Sequence, residues 1–259
     1  MEENNIRVAR KIKEQFLNYK NKIDIIIPYY NEQGSLVQLV ESIIKFTRNV
    51  EYTVYLVNDG CNSTDIKFFF DKYNKHIKIL DMPKNSGFGA AVNYGLKNSF
   101  EKLKVILHSD CLVENAVWLS NLYSSYIELS KQGCALVTSK TNNSGTKFNI
   151  LENLNIDNIN DVVLDISYVP FYSVMFSIDL IGKIGFIKPY PYMGYENEEF
   201  CARLFKSGYK IGLSGKSFIK HHGGKTVSKI CSKNPNIKNI IKSNRELCKN
   251  DIKLLFTKK

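Results

Sequence analysis

The sequence has little of what secreted, redox-active or membrane-spanning proteins depend on. Its six cysteines form no C-x-x-C pair, which argues against a thioredoxin-like motif and against a cysteine zinc cluster. No apolar run approaches the roughly 20 residues of a membrane-spanning helix, and the N-terminus has no apolar signal core. We therefore expect reduced thiols and a cytoplasmic location.

The composition is that of a folded protein with an uneven charge. Hydrophobic residues make up 44% and charged residues 24% of the 259 positions, which excludes disordered, collagen-like and disulfide-scaffold classes. The length fits one large α/β domain. Of the net charge of +11, most lies between Lys220 and Lys259, where 11 basic residues face 2 acidic ones. This nearly neutral body with a basic tail argues against a nucleic-acid-binding protein, and no RNA-recognition motif is present.

Strand-like and helix-like segments alternate through the first half of the chain. β-branched and apolar runs at Ile23–Ile27, Tyr52–Val57, Ile77–Leu80 and Val105–Leu107 are separated by segments of helical periodicity. The order β-α-β-α-β-α-β predicts a parallel, doubly wound sheet.

The second half is less regular. We expect strands at Val162–Val169 and Ser173–Ser177, a helix at Glu198–Lys206, and a long loop over Thr141–Asn160, which is rich in Asn, Gly, Ser and Thr. An amphipathic helix over Asn5–Tyr19 is expected to lead into the domain.

Polar residues cluster where each of four predicted strands ends: Tyr29–Glu32, Asn58–Asp59, Asn85–Gly87 and His108–Asp110. Ligands of open α/β sheets bind outside the carboxyl ends of the strands. Any one cluster fits an ordinary turn or helix cap, but four at one edge favour a binding site. Asp110 could ligate Mg²⁺ or Mn²⁺, because a carboxylate at a buried strand end is costly unless it is paired or binds a metal.

Paired histidines, His221 and His222, follow a short predicted strand and precede Gly-Gly-Lys-Thr. This pattern favours a loop that brings imidazole and amide groups to a phosphate or metal. It is not a complete P-loop, since the upstream glycine is missing.

The acidic segment Tyr195–Glu199 supplies a further candidate. Helical phase places Glu196 and Asn197 on the inward side of the following helix. Glu199 lies four residues before Arg203, the spacing of an intrahelical ion pair. Glu196 is therefore the best candidate for a functional carboxylate.

Six segments, in this order, resemble glycosyltransferase family 2, whose members have the GT-A fold: IIIPYYNEQGSL, YLVNDGCNSTD, NSGFGAAVNYGL, ILHSDCLVENAVWL, IGKIGFIKPYPYMGYENEEFCARLFKSGYKI and HHGGKT. The resemblance covers roughly Ile23 to Thr226. It implies a Rossmann-like, doubly wound mixed sheet that is mostly parallel and flanked by helices. It divides the chain into an N-terminal helix (1–22), a GT-A domain (23–226) with a nucleotide-binding half (23–110) and an acceptor half (111–226), and a basic amphipathic tail (227–259).

The resemblance implies transfer of a sugar from a nucleoside diphosphate sugar to a saccharide or lipid-linked acceptor. A UDP-sugar is the donor that we expect first. The expected role is bacterial surface polysaccharide or glycoconjugate synthesis. By position, the residues implied to bind the donor nucleotide are Pro28, Tyr30, Glu32, Asp59, Asn85, Gly87, Asn93 and Ser109. Asp110, with His221 or His222, would hold Mn²⁺ or Mg²⁺. The implied catalytic positions are Glu196, Asn197 and Glu199.

Two departures from the family pattern leave the mechanism open. His108 stands where the first Asp of the metal-binding Asp-x-Asp is expected, and Asn197 stands where the family has its general base. An amide cannot accept the proton, so Glu196 or a neighbouring Glu would take over that role. An inverting transferase is the first expectation; a retaining transferase and a catalytically silent nucleotide-sugar-binding module are the alternatives.

The basic tail has two interpretations. Its Ile and Leu residues at helical spacing fit a solvated helix packed on the body, and its cations fit attachment to an anionic membrane surface, which would place the protein peripherally at the inner face of the membrane. The sequence leaves both open.

Overall fold

A computed structural model of the chain describes residues 22–31, 33–62, 64–73, 75–152, 160–223 and 236–257. The helix expected at Asn5–Tyr19 lies outside the described residues, as do Gly224–Thr226 and part of the Thr141–Asn160 segment.

The described residues form nine strands and seven α-helices. The strands are β1 (Ile23–Tyr29), β2 (Tyr52–Asn58), β3 (Ile77–Asp81), β4 (Leu103–Leu107), β5 (Cys111–Leu112), β6 (Cys134–Thr141), β7 (Val162–Leu164), β8 (Ser173–Ser177) and β9 (Lys210–His221). The helices are α1 (Gln33–Phe46), α2 (Thr64–Phe70), α3 (Phe88–Lys97), α4 (Trp118–Ser130), α5 (Asp179–Ile184), α6 (Glu196–Lys206) and α7 (Asn236–Thr257). Two 3₁₀ turns, Asp71–Tyr73 and Asn149–Glu152, complete the elements.

One mixed sheet organises the domain. Its strand order is β3-β2-β1-β4-β8-β6-β9-β5, and β7 pairs with β9. The first four strands are mutually parallel, which confirms the predicted β-α-β alternation. Strand β8 enters antiparallel between β4 and β6, whereas β6 and β9 run parallel. Parallel pairs carry the longest registers, so the sheet is mostly parallel.

The central position of β1 explains its sequence. Every residue of Ile23–Tyr29 is buried, because helices cover both faces of the sheet there. A strand that is buried on both faces reads as a continuous apolar run rather than as an alternating one. Helix α1 buries a stripe formed by Leu36, Leu39, Val40 and Ile43 against this sheet, as helical spacing predicts.

A buried ion pair lies at the amino ends of β1 and β4, at the edge opposite the polar clusters. Asp24 Oδ2 accepts hydrogen bonds from Lys104 Nζ at 2.8 Å and from the Glu101 backbone N–H at 2.7 Å. Both charged side chains are 1% exposed. The pairing compensates for charge that burial would otherwise penalise.

Three predicted boundaries differ from the structure. Helix α6 begins at Glu196 rather than Glu198, because acidic residues favour the first turn of a helix. Only Val162–Leu164 of the predicted Val162–Val169 strand pairs with β9. In the predicted long loop, β6 extends to Thr141, and Ser144 bonds the Glu152 carboxylate through its backbone N–H and hydroxyl at 2.7 Å each.

Helix α7 packs along α6 and buries Ile237, Asn244 and Cys248. None of the helices in the described residues is both long and apolar enough to cross a membrane.

Candidate active site

A cavity of about 280 Å³ opens at the carboxyl ends of β1, β2 and β4. Nine of the candidates named from the sequence line it: Pro28, Tyr30, Asp59, Asn85, Ser109, Asp110, Glu196, Asn197 and His221. Residues from both halves of the domain therefore face one space. Other parts of the wall come from Phe88, Phe171, Tyr192, Met193 and, from the C-terminal helix, Ile241.

The carboxylate of Asp59 shapes the turn beside it. Its Oδ1 accepts the backbone N–H of Ser86 at 2.7 Å, and its Oδ2 accepts that of Gly87 at 2.9 Å. Burial raises the pKa of Asp59, although these two hydrogen bonds oppose the increase. Each carboxylate oxygen can still accept a second hydrogen bond from a ligand.

Gly87 allows this turn to approach the opposite wall. Its φ of 90° lies in the left-handed region, and a Cβ there would lie 2.5 Å from the Tyr192 carbonyl oxygen. That carbonyl accepts the Phe88 N–H at 2.9 Å. Only glycine permits so close an approach. Gly87 therefore allows the turn to pack against Tyr192 and is not itself among the residues that line the cavity.

Three side chains form a candidate metal centre within the cavity. The ligand atoms of His108, Asp110 and His221 all lie within 4.8 Å of one another. His221 Nε2 lies 3.2 Å from Asp110 Oδ1 and 3.4 Å from His108 Nδ1. His222, the other histidine named from the sequence, is exposed outside this group, and its backbone N–H donates to the Asp110 carbonyl at 3.0 Å.

The hydrogen bonds around His221 fit it for a metal. Its Nδ1 lies 2.7 Å from the Asn143 carbonyl oxygen, which can only accept a hydrogen bond. Nδ1 therefore carries a proton, and a neutral ring presents the Nε2 lone pair to the centre. Metal-binding histidines commonly have this second hydrogen bond, which fixes the orientation of the ring.

The three residues of the candidate metal centre differ in their protonation. Burial would raise the pKa of Asp110, but the hydrogen bond from His221 and the nearby His108 lower it to about 2. Burial, together with the nearby His221, lowers the pKa of His108 to about 4, although the Asp110 carboxylate opposes the decrease. The pKa of His221 is raised: burial opposes the increase, and the Asp110 carboxylate causes it. Anionic Asp110 and neutral His108 offer a cation one oxygen and one nitrogen, and a bound metal would displace the His221 proton.

Glu196 lies on the inward side of α6, which confirms the helical-phase prediction. Its Oε2 accepts the Gly194 N–H at 2.6 Å. Its Oε1 is buried and has no hydrogen-bond partner among the described residues. Burial raises the pKa of the Glu196 carboxyl to about 7. A carboxyl group in this state can hold or release a proton near neutral pH.

The two other catalytic candidates have different surroundings. Asn197 lines the cavity, and its Nδ2 donates to the Val169 carbonyl at 3.3 Å. Glu199 is not among the lining residues, and both its oxygens accept hydrogen bonds from Arg203, at 2.8 and 2.7 Å. This bond confirms the predicted i,i+4 ion pair. The pair gives this carboxylate a partner away from the lining residues, and the catalytic role named for Glu199 stays a prediction.

Besides Gly87, one donor-site candidate is not among the lining residues and another lies outside the described residues. Asn93 donates through Nδ2 to the Ile187 carbonyl at 2.6 Å and accepts the Ile187 N–H at 3.1 Å, so its amide ties α3 to the segment before α6. Glu32 lies outside the described residues.

The reasoning from the sequence missed two contributors to the site. It treated His108 only as a departure from the acidic Asp-x-Asp motif. Imidazole is itself a common metal ligand, so the residue type at position 108 could have indicated a ligand. It did not identify Ile241, because no local pattern shows that α7 folds back onto the cavity.

Solved structures share this architecture. A crystal structure of GalNAc-T7 with UDP, GalNAc and Mn²⁺ matches 78% of this chain and 44% of that one, with a TM-score of 0.64 and 16% identity. Staphylococcus aureus TarS 1–349 in complex with UDP-GlcNAc matches 77% of this chain and 58% of that one, with a TM-score of 0.58 and 18% identity. The fold is that of the GT-A glycosyltransferases.

The family follows from the sequence match. Residues 24–180 match the model of glycosyl transferase family 2, and the chain belongs to this family. It is 32% identical over 95 residues to the undecaprenyl-phosphate 4-deoxy-4-formamido-L-arabinose transferase of Proteus mirabilis, a match that covers 35% of this chain and 29% of that protein.

A second relative is the teichoic acid poly(glycerol phosphate) polymerase of Staphylococcus epidermidis, 34% identical over 80 residues, which are 30% of this chain and 11% of that protein. The chain thus spans less than a third of the length of either of these relatives.

Proposed function

We propose that this protein transfers a sugar from a nucleoside diphosphate sugar to an acceptor hydroxyl in a metal-dependent reaction. The observation that carries this proposal is the position of Glu196. Its half-satisfied carboxylate lines the same cavity as the His108, Asp110 and His221 ligand group. A proton acceptor and a site for diphosphate charge are the two elements that glycosyl transfer needs.

Glu196 is the proposed general base. Its Oε1 takes the proton of the acceptor hydroxyl while the acceptor oxygen forms a bond to the anomeric carbon. The bond from that carbon to the diphosphate oxygen breaks, and the nucleoside diphosphate leaves with the bonding electrons. Attack from the face opposite the leaving group inverts the anomeric centre. Asn197 cannot take this proton, so it is assigned to orientation of the bound sugar or acceptor.

His108, Asp110 and His221 would hold Mn²⁺ or Mg²⁺. A bound divalent cation neutralises the charge that grows on the departing diphosphate. The residues fit such an ion because they supply one carboxylate and two ring nitrogens, one of which is oriented by the Asn143 carbonyl.

The wall formed by Pro28, Tyr30 and Asp59 is assigned to the nucleoside. Asp59 can accept hydrogen bonds from a base while it holds the turn after Asn85. A UDP-sugar is the first donor to test, because two structural neighbours were solved with UDP or UDP-GlcNAc. The relatives' names favour a saccharide or lipid-linked acceptor in bacterial surface polymer synthesis.

Release of UDP from a panel of UDP-sugars in the presence of Mn²⁺ tests the proposal. We expect the unmodified protein to release UDP from at least one donor, and Glu196→Gln to bind that donor but release UDP at least about 100-fold more slowly. Glu198→Gln is the matched control, since that half-buried carboxyl lies two residues away and is not among the lining residues. Donor binding by the unmodified protein without any release would favour the silent binding module.

A further inference from the structure

Five cations lie along one exposed strip of α7. Lys238, Lys242, Arg245, Lys249 and Lys253 are all exposed, and they are separated by four, three, four and four residues. These are the spacings of neighbours on one side of a helix. We call this set the basic strip. The helix packs on the domain through its other side, which buries Ile237, Asn244 and Cys248.

The basic strip keeps most of its charge. The two acidic residues of α7 are Glu246, which pairs with Lys249 at 2.8 Å, and Asp251. The Asp251 carboxylate is turned toward the domain, where it binds Lys188 and the Tyr190 hydroxyl. Arg245 interacts electrostatically with Glu198 of α6, so Lys238, Lys242 and Lys253 are the strip cations without a carboxylate partner among the described residues.

One exposed apolar side chain lies on the same side of α7 as the basic strip. Phe256 follows Lys249 and Lys253 by seven and three residues and is 62% exposed. Leu247 and Leu254 are also exposed, but they are only one or two residues away from their neighbours in the strip and therefore lie on another side of the helix. A helix that presents cations together with an exposed aromatic side chain favours the interface of an anionic membrane. A nucleic-acid backbone would use the cations alone, so Phe256 favours lipid.

The same helix forms part of the candidate active site. Ile241 lines the cavity, and it directly precedes Lys242 of the basic strip. Asn244 Nδ2 donates to the carbonyls of Pro191 and Met193 at 2.9 and 3.0 Å, which fixes the cavity wall to α7. A surface that binds the strip would therefore lie beside the cavity.

We propose that the basic strip of α7 docks the protein on an anionic lipid surface, beside which the cavity can receive a membrane-embedded acceptor. Docking itself does not depend on the proposed function; only the nature of the acceptor does. Each well-placed cation is expected to strengthen binding by about fivefold.

Co-sedimentation of the full chain with lipid vesicles tests this proposal, in the absence of donor and acceptor. We expect binding to phosphatidylcholine vesicles that contain phosphatidylglycerol and not to vesicles of phosphatidylcholine alone. Binding should weaken strongly between about 0.1 M and about 1 M salt, because the Debye length falls from about 10 to about 3 Å.

The decisive variant replaces three lysines of the strip, K238Q/K242Q/K253Q. We expect it to bind the anionic vesicles on the order of 100-fold more weakly. The matched control, K75Q/K147Q/K216Q, removes the same charge from exposed lysines elsewhere and should keep most of the binding.

Three results would overturn the proposal: no binding by the unmodified protein, equal losses in both variants, or tighter binding to a single-stranded oligonucleotide than to the anionic vesicles at the same salt. UDP release is measured without lipid, and vesicle binding is measured without donor or acceptor. A protein that fails to bind vesicles can therefore still transfer sugar, and a protein that releases no UDP can still dock on the membrane.

Discussion

His221 Nε2 lies 3.2 Å from Asp110 Oδ1, although the two residues come from different halves of the domain sequence. The antiparallel pairing of β5 with β9 brings them together, since Cys111, next to Asp110, is paired with His221 itself. A two-residue strand thus fixes the geometry of the candidate metal centre. It also decides which of the two adjacent histidines faces the cavity.

The adjacent histidines provide a matched pair for metal binding. We expect His221→Ala to weaken Mn²⁺ binding by at least about 10- to 100-fold, the range typical even of residues that only support a metal site. His222→Ala should bind Mn²⁺ as the unmodified protein does. Isothermal titration calorimetry measures both affinities without donor or turnover. Equal losses in the two variants would contradict the assignment of His221.

Metal preference follows from the donor atoms. Two imidazole nitrogens and one carboxylate suit Mn²⁺ better than Mg²⁺, which prefers oxygen ligands and near-ideal octahedral geometry. We expect Mn²⁺ to raise the melting temperature more than Mg²⁺ at equal concentration, by mass action. His108→Asp should reduce the difference between the melting-temperature increases that Mn²⁺ and Mg²⁺ cause. An unchanged difference would remove His108 from the ligand set.

Because of Glu196, the free energy of unfolding should decrease as pH rises. The pKa of its carboxyl is raised to about 7 from an ordinary 4.5, so the folded state holds this proton more tightly than the unfolded state does. The stabilisation is complete below about pH 4.5 and is lost as pH rises through about 7. Because each pKa unit is worth about 1.4 kcal/mol, Glu196→Gln should increase the free energy of unfolding by roughly 3 kcal/mol near pH 8.

Urea unfolding of the two proteins near pH 8 and near pH 5 measures this difference, which should shrink at the lower pH. Glu41→Gln is the control, because its carboxyl is exposed. A gain in stability that is independent of pH would mean that the carboxyl is not held protonated by the fold.

Asn244 is expected to act as a positioning residue for Glu196. Two non-glycine residues have left-handed φ values: Tyr192 of the cavity wall, at 61°, and Tyr195, which directly precedes α6, at 75°. Such strain persists only where surrounding contacts impose it, and Asn244 supplies two of them through the Pro191 and Met193 carbonyls. Asn244→Ala should reduce UDP release by roughly 10- to 100-fold and shift its pH midpoint.

Asn250→Ala, an exposed change on the same helix, should alter neither property. If Asn244→Ala lowers only the melting temperature and leaves the pH midpoint in place, its role is structural alone.

The buried Asp24–Lys104 pair makes a prediction about stability only. Asp24→Asn leaves the Lys104 ammonium without its carboxylate in the interior, which should cost about 3–5 kcal/mol in the free energy of unfolding. The double variant Asp24→Asn/Lys104→Met should recover much of this loss. Asp179→Asn, which breaks the exposed pair with Lys102, should have little effect on the urea midpoint. Comparable losses in the two single variants would contradict the desolvation argument.

The sequence by itself determined the features that depend on neighbouring residues. The alternation of apolar strands with periodic helices specified the parallel part of the sheet, and a parallel sheet places its strand ends at one edge. Helical phase identified the inward side of Glu196, and the four-residue spacing identified the Glu199–Arg203 pair. Both predictions needed only the geometry of one helix.

Only the tertiary structure decided the choices that depend on contacts between distant segments. Strand pairing selected His221 over His222, and the Ile187 backbone drew the Asn93 amide away from the cavity. The packing of α7 on α6 added Ile241 to the wall and Asn244 to its support. Burial from all sides raised the pKa of Glu196, a property that no local pattern encodes because desolvation depends on every element around the group.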